Sequence, residues 1–303
     1  MTVKTLVYSD NTEVALQLLG RGLELGPTIA VALAEQAGTL SVGGAKTFKI
    51  NEASTEHLRA AILEVVKRES PALVMIASTR RGRELAPRVA SVLGAGYCGD
   101  CFEVEPTEGS VRVKRLAYGG STVATEDIRG TPAVVTVPPR SFKKREEPAT
   151  PGEVVELNVP VTASAVRVLE RKPKKTGDAG LENAKVIVSA GRGFKKREDL
   201  ALLEELAGVL GAKMGCSRPI AADLGWMDQW VGISGKKVAP RLYVACGVSG
   251  TIQHAAGIRD SQLIVAVNSD EAAGIHELSD YSIVGDIYTV LPALTKALKE
   301  RAR

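Results

Sequence analysis

The sequence has little of what marks secreted, membrane-spanning or nucleic-acid-binding proteins. Its 303 residues include four cysteines, too few for a disulfide framework. The longest apolar runs, such as residues 72–77 and 263–267, fall far short of the roughly 18 residues that a membrane span needs. Aromatic residues make up only 4%, and the basic residues behind the net charge of +4 form no stripe, which disfavours nucleic-acid binding. No export signal opens the sequence, so we expect a cytoplasmic protein.

The four cysteines carry two open questions. Cys98 and Cys101 form a lone CxxC in GYCGDC, which suits a redox pair or half of a zinc site that another chain completes. No second CxxC or HxxxH completes a metal site within the chain, so a structural role is favoured. Cys216 and Cys246 lie at predicted strand ends, and we expect both to be small buried hydrophobic residues.

The length and the alternation of patterns indicate two α/β domains. Short β-branched apolar runs alternate with longer segments of helical period, which predicts mainly parallel sheets flanked by helices. The polar, glycine-bearing residues 171–184 predict the boundary. We therefore assign residues 1–175 to an N-terminal domain and 176–303 to a doubly wound C-terminal domain. The basic runs 140–145 and 171–175 suit solvated surface, with a docking role as the alternative.

In the first half, three apolar runs are predicted to be buried strands and three periodic segments to be helices. The strands are residues 3–9, 28–34 and 72–78, and the helices are residues 13–25, 55–68 and 82–93. Three later apolar runs have no helix between them, which predicts antiparallel or edge strands. They are residues 111–117, 133–138 and 154–159.

In the second half, each major predicted strand ends in Gly, Ser, Arg or Asn. The strands are residues 185–190, a short one near Lys213, 242–246, 263–267 and 281–285, and the helices are residues 198–210, 252–256 and 287–298. Because open parallel sheets hold ligands beyond the carboxyl ends of their strands, we predict a nucleotide site there.

The turn GVSG and its following helix supply candidate ligand groups. Gly247 and Gly250 would let the backbone approach a phosphate, and Ser249 could cap the helix or bind the anion. A tight turn with an ordinary cap is the alternative. His254 could donate a hydrogen bond to an electron-rich carbonyl of a cofactor, or simply pack in the core.

Two arginines also follow strands. Arg218 precedes Pro219, which predicts an extended backbone that projects the guanidinium from a strand end. There it could stack on a flat ring and stabilise negative charge, or form a surface ion pair. Arg192, in the turn GRGF, suits a phosphate or a plain surface position.

These motifs together resemble one known family. The order GRGF, GCSRP, VGISGKKVAP, LYVACGVSGTIQH, LIVAVNSD and DYSIVGDIYTVLP resembles the FAD-binding domain of electron-transfer flavoprotein alpha subunits over residues 186–298. The first half resembles that family's N-terminal domain more loosely, through RRGRELAPRVASVLGAGYCGDC and RLAYGGSTVAT. Cys101 then falls where the family often has Cys, which again favours a structural CxxC.

The resemblance implies roles for individual residues. Arg218 would lie against the isoalloxazine and favour negative charge on it, the Ser234 hydroxyl would bond flavin N5, and His254 would meet the pyrimidine-side carbonyl. Ser249 would hold the ribityl-phosphate region, and Ile233 departs from a common Gln. Asn268 and Asp286 would serve the adenosine half. The complete implied FAD-binding set, with no catalytic residue and no metal ligand, is Arg192, Ser217, Arg218, Val231, Gly232, Ile233, Ser234, Ser249, Gly250, Thr251, Ile252, Gln253, His254, Asn268, Asp286 and Ile287.

The implied function is electron carriage on FAD. The resemblance predicts a heterodimer with a beta subunit that holds AMP or a second FAD, contacted through a nucleotide-hydrolase-like N-terminal domain. Electrons would pass from flavin dehydrogenases, such as the acyl-CoA dehydrogenases of fatty acid β-oxidation, to a quinone oxidoreductase, or within an electron-bifurcating complex. One alternative is an NAD-dependent dehydrogenase, although GRGFKK lacks the third glycine of GxGxxG. Another is a nucleotide-binding regulatory module.

Overall fold

The computed structural model describes residues 2–52, 54–144, 150–160, 169–170 and 180–301. The chain divides into two compact units: unit 1 is Met1–Ala117 with Thr122–Glu170, and unit 2 is Tyr118–Ser121 with Arg171–Arg303. The predicted basic run 171–175, Arg145 and most of the predicted boundary segment lie outside the described residues. Within the described part, no helix has the length and apolar character that crossing a membrane requires.

The described residues of unit 1 form ten strands and four α-helices. The strands are β1 (Thr5–Tyr8), β2 (Thr28–Leu33), β3 (Lys46–Ile50), β4 (Leu73–Ala77), β5 (Tyr97–Cys98), β6 (Cys101–Thr107), β7 (Ser110–Ala117), β8 (Thr122–Arg129), β9 (Ala133–Val137) and β10 (Val154–Glu156). The helices are α1 (Thr12–Leu25), α2 (Ala34–Val42), α3 (Thr55–Glu69) and α4 (Arg80–Leu93). Seven strands form a sheet in the order β10-β3-β2-β1-β4-β9-β5, and β6-β7-β8 form an antiparallel sheet.

The seven-stranded sheet is parallel throughout and is covered on both faces. Side chains of α1 and α2, such as Leu18 and Leu40, pack on one face, and side chains of α3 and α4, such as Ile62 and Leu85, pack on the other. Burial on both sides explains why β1 and β4 are apolar without interruption. The three predicted helices and three predicted buried strands of this half are confirmed.

One prediction for unit 1 is wrong, and five of its elements were not predicted. Residues 133–138 were expected to be antiparallel or at an edge, but β9 is fully buried and parallel between β4 and β5. Between β5 and β9 the chain passes through the antiparallel strands β6–β8 and not through a helix. The lack of a helical pattern before residues 133–138 therefore did not mean that this strand lies at an edge. The elements that were not predicted are α2, β3, β5, β6 and β8, and of these α2 and β3 have few apolar residues in a regular pattern.

Unit 2 is a doubly wound parallel sheet, as predicted. Its strands are β11 (Val186–Ala190), β12 (Lys213–Cys216), β13 (Leu242–Cys246), β14 (Ile264–Asn268) and β15 (Tyr281–Val284), and its helices are α5 (Leu200–Leu210), α6 (Ile252–Ile258), α7 (Ile275–Leu278) and α8 (Ile287–Arg301). The strand order is β12-β11-β13-β14-β15, with every pair parallel. Residues of α5 and α8 join one core layer, and residues of α6 and α7 join the other.

The strand order fixes where a ligand can bind in unit 2. From β11 the chain passes to β12 on one side, and β13 then lies on the other side of β11. Strands that neighbour each other at such a reversal leave a crevice at their carboxyl ends, since their connections leave in opposite directions. The crevice of unit 2 therefore opens where β11 and β13 end.

Candidate functional site

A cavity of about 510 Å³ lies at the carboxyl ends of the unit 2 strands. Twelve of the sixteen residues predicted from the sequence line it: Arg192, Ser217, Arg218, Val231, Gly232, Ile233, Ser234, Ser249, Thr251, Gln253, His254 and Asn268. Six further lining residues were absent from the predicted set: Pro219, Trp230, Gly247, Val248, Asp270 and Ala273. The cavity thus gathers turns that follow β11, β12, β13 and β14.

Close backbone contact joins the turns after β11 and β13. A Cβ atom on Gly193 would lie 2.8 Å from the Cα of Gly247, a separation that folded proteins do not tolerate. Gly193 N–H donates to the Gly247 carbonyl at 3.1 Å, and Gly247 has φ of +63°, which glycine adopts without strain. The two glycines therefore bring Arg192 against the GVSG turn.

A second close contact places the segment 231–236 on α6. Ile233 N–H donates to the Gln253 carbonyl at 2.8 Å. A Cβ on Gly257 would lie only 2.5 Å from the backbone nitrogen of Gly232, so only glycine fits at this crossing. Ser234 is thereby held beside the helix that carries His254.

Arg218 lies in a turn, and the predicted extended backbone is wrong. Its φ of −50° and ψ of −44° are helical, and it immediately precedes a π-helical turn, Pro219–Asp223. A hydrogen bond of 3.1 Å from Ile220 N–H to the Ser217 carbonyl closes the turn, which outweighs the usual preference of a residue before proline. Arg218 nevertheless lines the cavity, two residues beyond the end of β12.

The two arginines in the wall have no counter-ion among the described residues. Neither Arg192 nor Arg218 forms an ion pair or hydrogen bond with another side chain among the residues that the structure describes. The alternative of an ordinary surface ion pair for Arg218 is thus not supported by this part of the chain. Both arginines are exposed to solvent and line the cavity, so both are available to an anionic ligand there.

His254 is the third residue of α6 and is only 5% exposed. Its Nε2 lies 3.0 Å from the hydroxyl oxygen of Tyr243, whereas its Nδ1 is buried without a hydrogen bond of ordinary geometry to the described residues. Burial lowers the pKa of His254 to about 4, and an interaction with the Val231 carbonyl raises the pKa by a smaller amount. At neutral pH the ring is therefore uncharged, and Nδ1 could still form a hydrogen bond with a ligand.

Hydroxyl groups complete the wall. Trp230 Nε1–H donates to Ser234 Oγ at 3.3 Å, which leaves the hydroxyl proton of Ser234 free to donate elsewhere. Ser249 does not cap α6, contrary to one expectation, because the N-cap residue is Thr251 and it forms no side-chain cap. The Ser249 hydroxyl has no hydrogen-bond partner among the described residues and remains available to a ligand.

Asn268 supports the cavity from the end of β14. Its Nδ2 donates to the Val248 carbonyl at 2.8 Å, and its Oδ1 accepts from Asp270 N–H at 3.0 Å. Both bonds go to backbone beside the cavity, so Asn268 fixes the relative position of two turns.

Four predicted residues lie outside the cavity lining. Gly250 packs its backbone against the start of α7, and Ile252 is exposed on α6. Asp286 lies at the start of α8, where its Oδ1 accepts from Tyr288 N–H at 3.3 Å, and Ile287 is buried in the core.

The cysteines are separate from this wall. Cys216 and Cys246 are buried, as predicted, and burial raises the pKa of each thiol to about 12. Cys98 and Cys101 are buried in unit 1, with Cys98 Sγ 3.8 Å from a carboxylate oxygen of Glu126. In the described part of the chain, no three His, Cys, Asp or Glu side chains gather as metal ligands.

Family models match most of the chain. Residues 6–162 match the electron transfer flavoprotein domain, and residues 180–259 match the electron transfer flavoprotein FAD-binding domain. The second match includes the cavity residues that follow β11, β12 and β13. The cofactor of this domain family is FAD, as the resemblance implied.

Curated relatives match along nearly the whole length. A putative electron transfer flavoprotein subunit YdiR of Escherichia coli K12 is 35% identical over 96% of this chain and 97% of its own. Protein FixB of Clostridium saccharobutylicum is 35% identical over 95% of this chain and 92% of its own, and protein FixB of Escherichia coli O6:K15:H31 is 34% identical over 96% and 97%. The dehydrogenase and regulatory-module alternatives gain no support from these matches.

Together with the cavity, these matches identify the family of the chain. Unit 2 has the sheet order, the glycine-crossed turns and the anion-suited wall that a dinucleotide site requires. The chain belongs to the electron transfer flavoprotein family, as an alpha-type, FixB-like subunit with an FAD-binding domain and an electron-carrier role.

Proposed function

We propose that the unit 2 cavity holds FAD through the predicted residues that line it. The observation that carries the proposal is one wall in which, among the described residues, Arg192 and Arg218 have no ion-pair partner and His254 Nδ1 has no hydrogen bond of ordinary geometry. Buried polar groups are normally satisfied, so an unsatisfied one beside a cavity indicates that a ligand supplies the bond. A dinucleotide with an anionic diphosphate and a polar ring edge fits all three groups.

Each wall residue then has a distinct task. When bound, FAD supplies reversible electron uptake at its ring, and reduction adds negative charge there. Arg218 would hold positive charge near that ring, and Ser234 would donate its free hydroxyl proton. His254 would contribute a hydrogen bond without a charge at neutral pH, because burial keeps its pKa near 4.

The remaining predicted residues would hold the rest of the cofactor. Arg192 and Ser249 lie on adjoining turns, where a guanidinium and a free hydroxyl suit a diphosphate. Asn268 would maintain the spacing of the turns around the adenosine half through its two backbone bonds. Asp286 would reach that half only from the start of α8, outside the cavity lining.

The proposal extends to partners and compartment. Alpha subunits of this family pair with beta subunits, and we propose a beta subunit with AMP or a second FAD for this chain. Acyl-CoA dehydrogenases and a quinone oxidoreductase are the proposed donor and acceptor, with a bifurcating complex as the second possibility. A cytoplasmic location is supported by four cysteines that are all free thiols.

The first test is whether the subunit pair carries flavin. The chain is co-expressed with its beta subunit, and the absorbance spectrum of the purified pair is recorded before and after incubation with FAD. We expect a flavin spectrum. A colourless pair that takes up no FAD would overturn the proposal.

Arg218→Ala then tests the wall. Loss of one charge-assisted contact costs about 1.5–3 kcal/mol, so FAD should dissociate roughly 10- to 150-fold more readily. The reduction potential should also fall, because the anionic ring loses its cation. Arg241→Ala removes an exposed arginine of the same unit outside the cavity and should change neither value. Equal behaviour of the two variants would remove Arg218 from the site.

A further inference from the structure

A buried tyrosine lies behind His254, outside the cavity lining. Tyr243 belongs to β13, is 0% exposed, and places its hydroxyl oxygen 3.0 Å from His254 Nε2. The two ring centroids are 6.0 Å apart and tilted by 59°, so the contact is made through the hydroxyl group and not by stacking. The hydroxyl group therefore determines whether Nε2 donates or accepts a hydrogen bond.

The surroundings of the Tyr243 hydroxyl determine which way its proton points. Among the described residues, the hydroxyl has a hydrogen bond of ordinary geometry to His254 Nε2, whereas Ser189 Oγ, buried on the neighbouring strand β11, forms none. A buried hydroxyl proton is costly to leave unpaired, so the single proton of Tyr243 is directed to His254 Nε2.

A neutral imidazole carries one ring proton. If Nε2 accepts a hydrogen bond from Tyr243, that proton is on Nδ1. No charged side chain is in hydrogen-bond contact with the ring among the described residues, and its other polar neighbour is the Val231 carbonyl. A carbonyl can only accept, so the Val231 carbonyl is compatible with the same Nδ1–H form that the Tyr243 hydroxyl favours.

We propose that Tyr243 is a positioning residue that holds His254 in the Nδ1–H form, so that the ring nitrogen without a hydrogen bond of ordinary geometry to the described residues is a donor. A donor at this position suits an electron-rich carbonyl acceptor and would be repelled by another N–H group. Its value for the flavin ring rests on the proposed function; the tautomer itself does not.

The tautomer can be measured without flavin. The full chain is labelled with ¹⁵N-histidine, and its three histidines are assigned with the single variants His57→Gln and His276→Gln. The wild-type chain should show a protonated Nδ1 and an unprotonated Nε2 for His254. Tyr243→Phe should shift the population toward Nε2–H, the form that free imidazole side chains favour in water. Tyr281→Phe, which changes an exposed tyrosine of the same unit, should leave the spectrum unchanged.

Two outcomes overturn the proposal. A wild-type His254 in the Nε2–H form would show that Tyr243 accepts instead of donating. An unchanged Nδ1–H form in Tyr243→Phe would show that the tyrosine does not set the tautomer. If Tyr243→Phe fails to fold, the wild-type spectrum still decides the first question, and Tyr243→Met, which also lacks the hydroxyl and should increase the Nε2–H population, decides the second.

A second measurement separates this proposal from the proposed function. In the flavin-loaded pair, Tyr243→Phe should weaken binding of reduced relative to oxidised flavin by about two- to tenfold, seen as a lower reduction potential. An unchanged potential overturns the link to the ring. If the wild-type pair binds no FAD, the proposed function fails while the labelled-histidine result remains valid.

Discussion

Acidification should destabilise unit 2 through the burial of His254. Its pKa is about 4 in the fold and about 6.5 when exposed, so folding favours the neutral ring. The stabilisation is complete above about pH 6.5 and is lost as the pH falls toward 4. The full shift corresponds to about 3 kcal/mol, and about 2 kcal/mol of this is lost by about pH 5.

Tryptophan fluorescence offers a direct assay, because Trp226 and Trp230 are the only tryptophans in the sequence and both lie in unit 2. Urea unfolding of the wild-type chain is followed at about pH 8 and about pH 5. His254→Gln, which cannot take up a proton, should lose about 2 kcal/mol less between these conditions than the wild type. His276→Gln, in the same unit, serves as the matched control and should keep the wild-type difference. An identical pH effect in His254→Gln and the wild type would refute the reasoning.

Three further changes should follow from the packing of unit 2. Gly257→Ala should lower the free energy of unfolding by about 1–3 kcal/mol and weaken FAD retention, because the new Cβ would lie 2.5 Å from Gly232 N. Urea unfolding measures the first effect and flavin titration the second. Full FAD retention would show that the close contact between Gly257 and Gly232 does not shape the cavity. Asn268→Ala should cost about 1–3 kcal/mol, since the Val248 carbonyl and a neighbouring amide lose their partner; unchanged stability would show that water replaces the amide. Leu203→Ala, at a 0% exposed core position, should cost about 2–5 kcal/mol in the same fluorescence assay while FAD binding is retained, and lost binding would tie the core to the cavity.

The doubly wound sheet of unit 2 could be predicted because its strands are short apolar runs with polar punctuation. β11 and β13 are buried, and each is followed by glycine, so the apolar pattern and the turn residues indicated the same strand ends. The same reasoning misjudged β9 in unit 1, whose position depends on contacts distant in sequence. Local pattern indicates that a strand exists, but it does not indicate which neighbours the strand finds.

Most residues of the cavity could be predicted from the sequence, but the contacts that position them could not. Motif resemblance named Arg218 and His254, whereas the helical backbone of the first and the tyrosine contact of the second depend on tertiary packing. Trp230 was not predicted because a single aromatic residue before VGIS belongs to no helical or strand pattern that would mark it as a site residue. One clue was available: it is one of only two tryptophans, and it adjoins a segment already assigned to the site.

The edges of the large sheet in unit 1 have a consequence for aggregation. The two edge strands, β10 with three residues and β5 with two, are the shortest strands of that sheet. An edge this short offers few unpaired backbone groups to an incoming strand. The seven-stranded sheet can therefore keep a long apolar interior, at β1 and β4, without presenting a template on which other chains could stack.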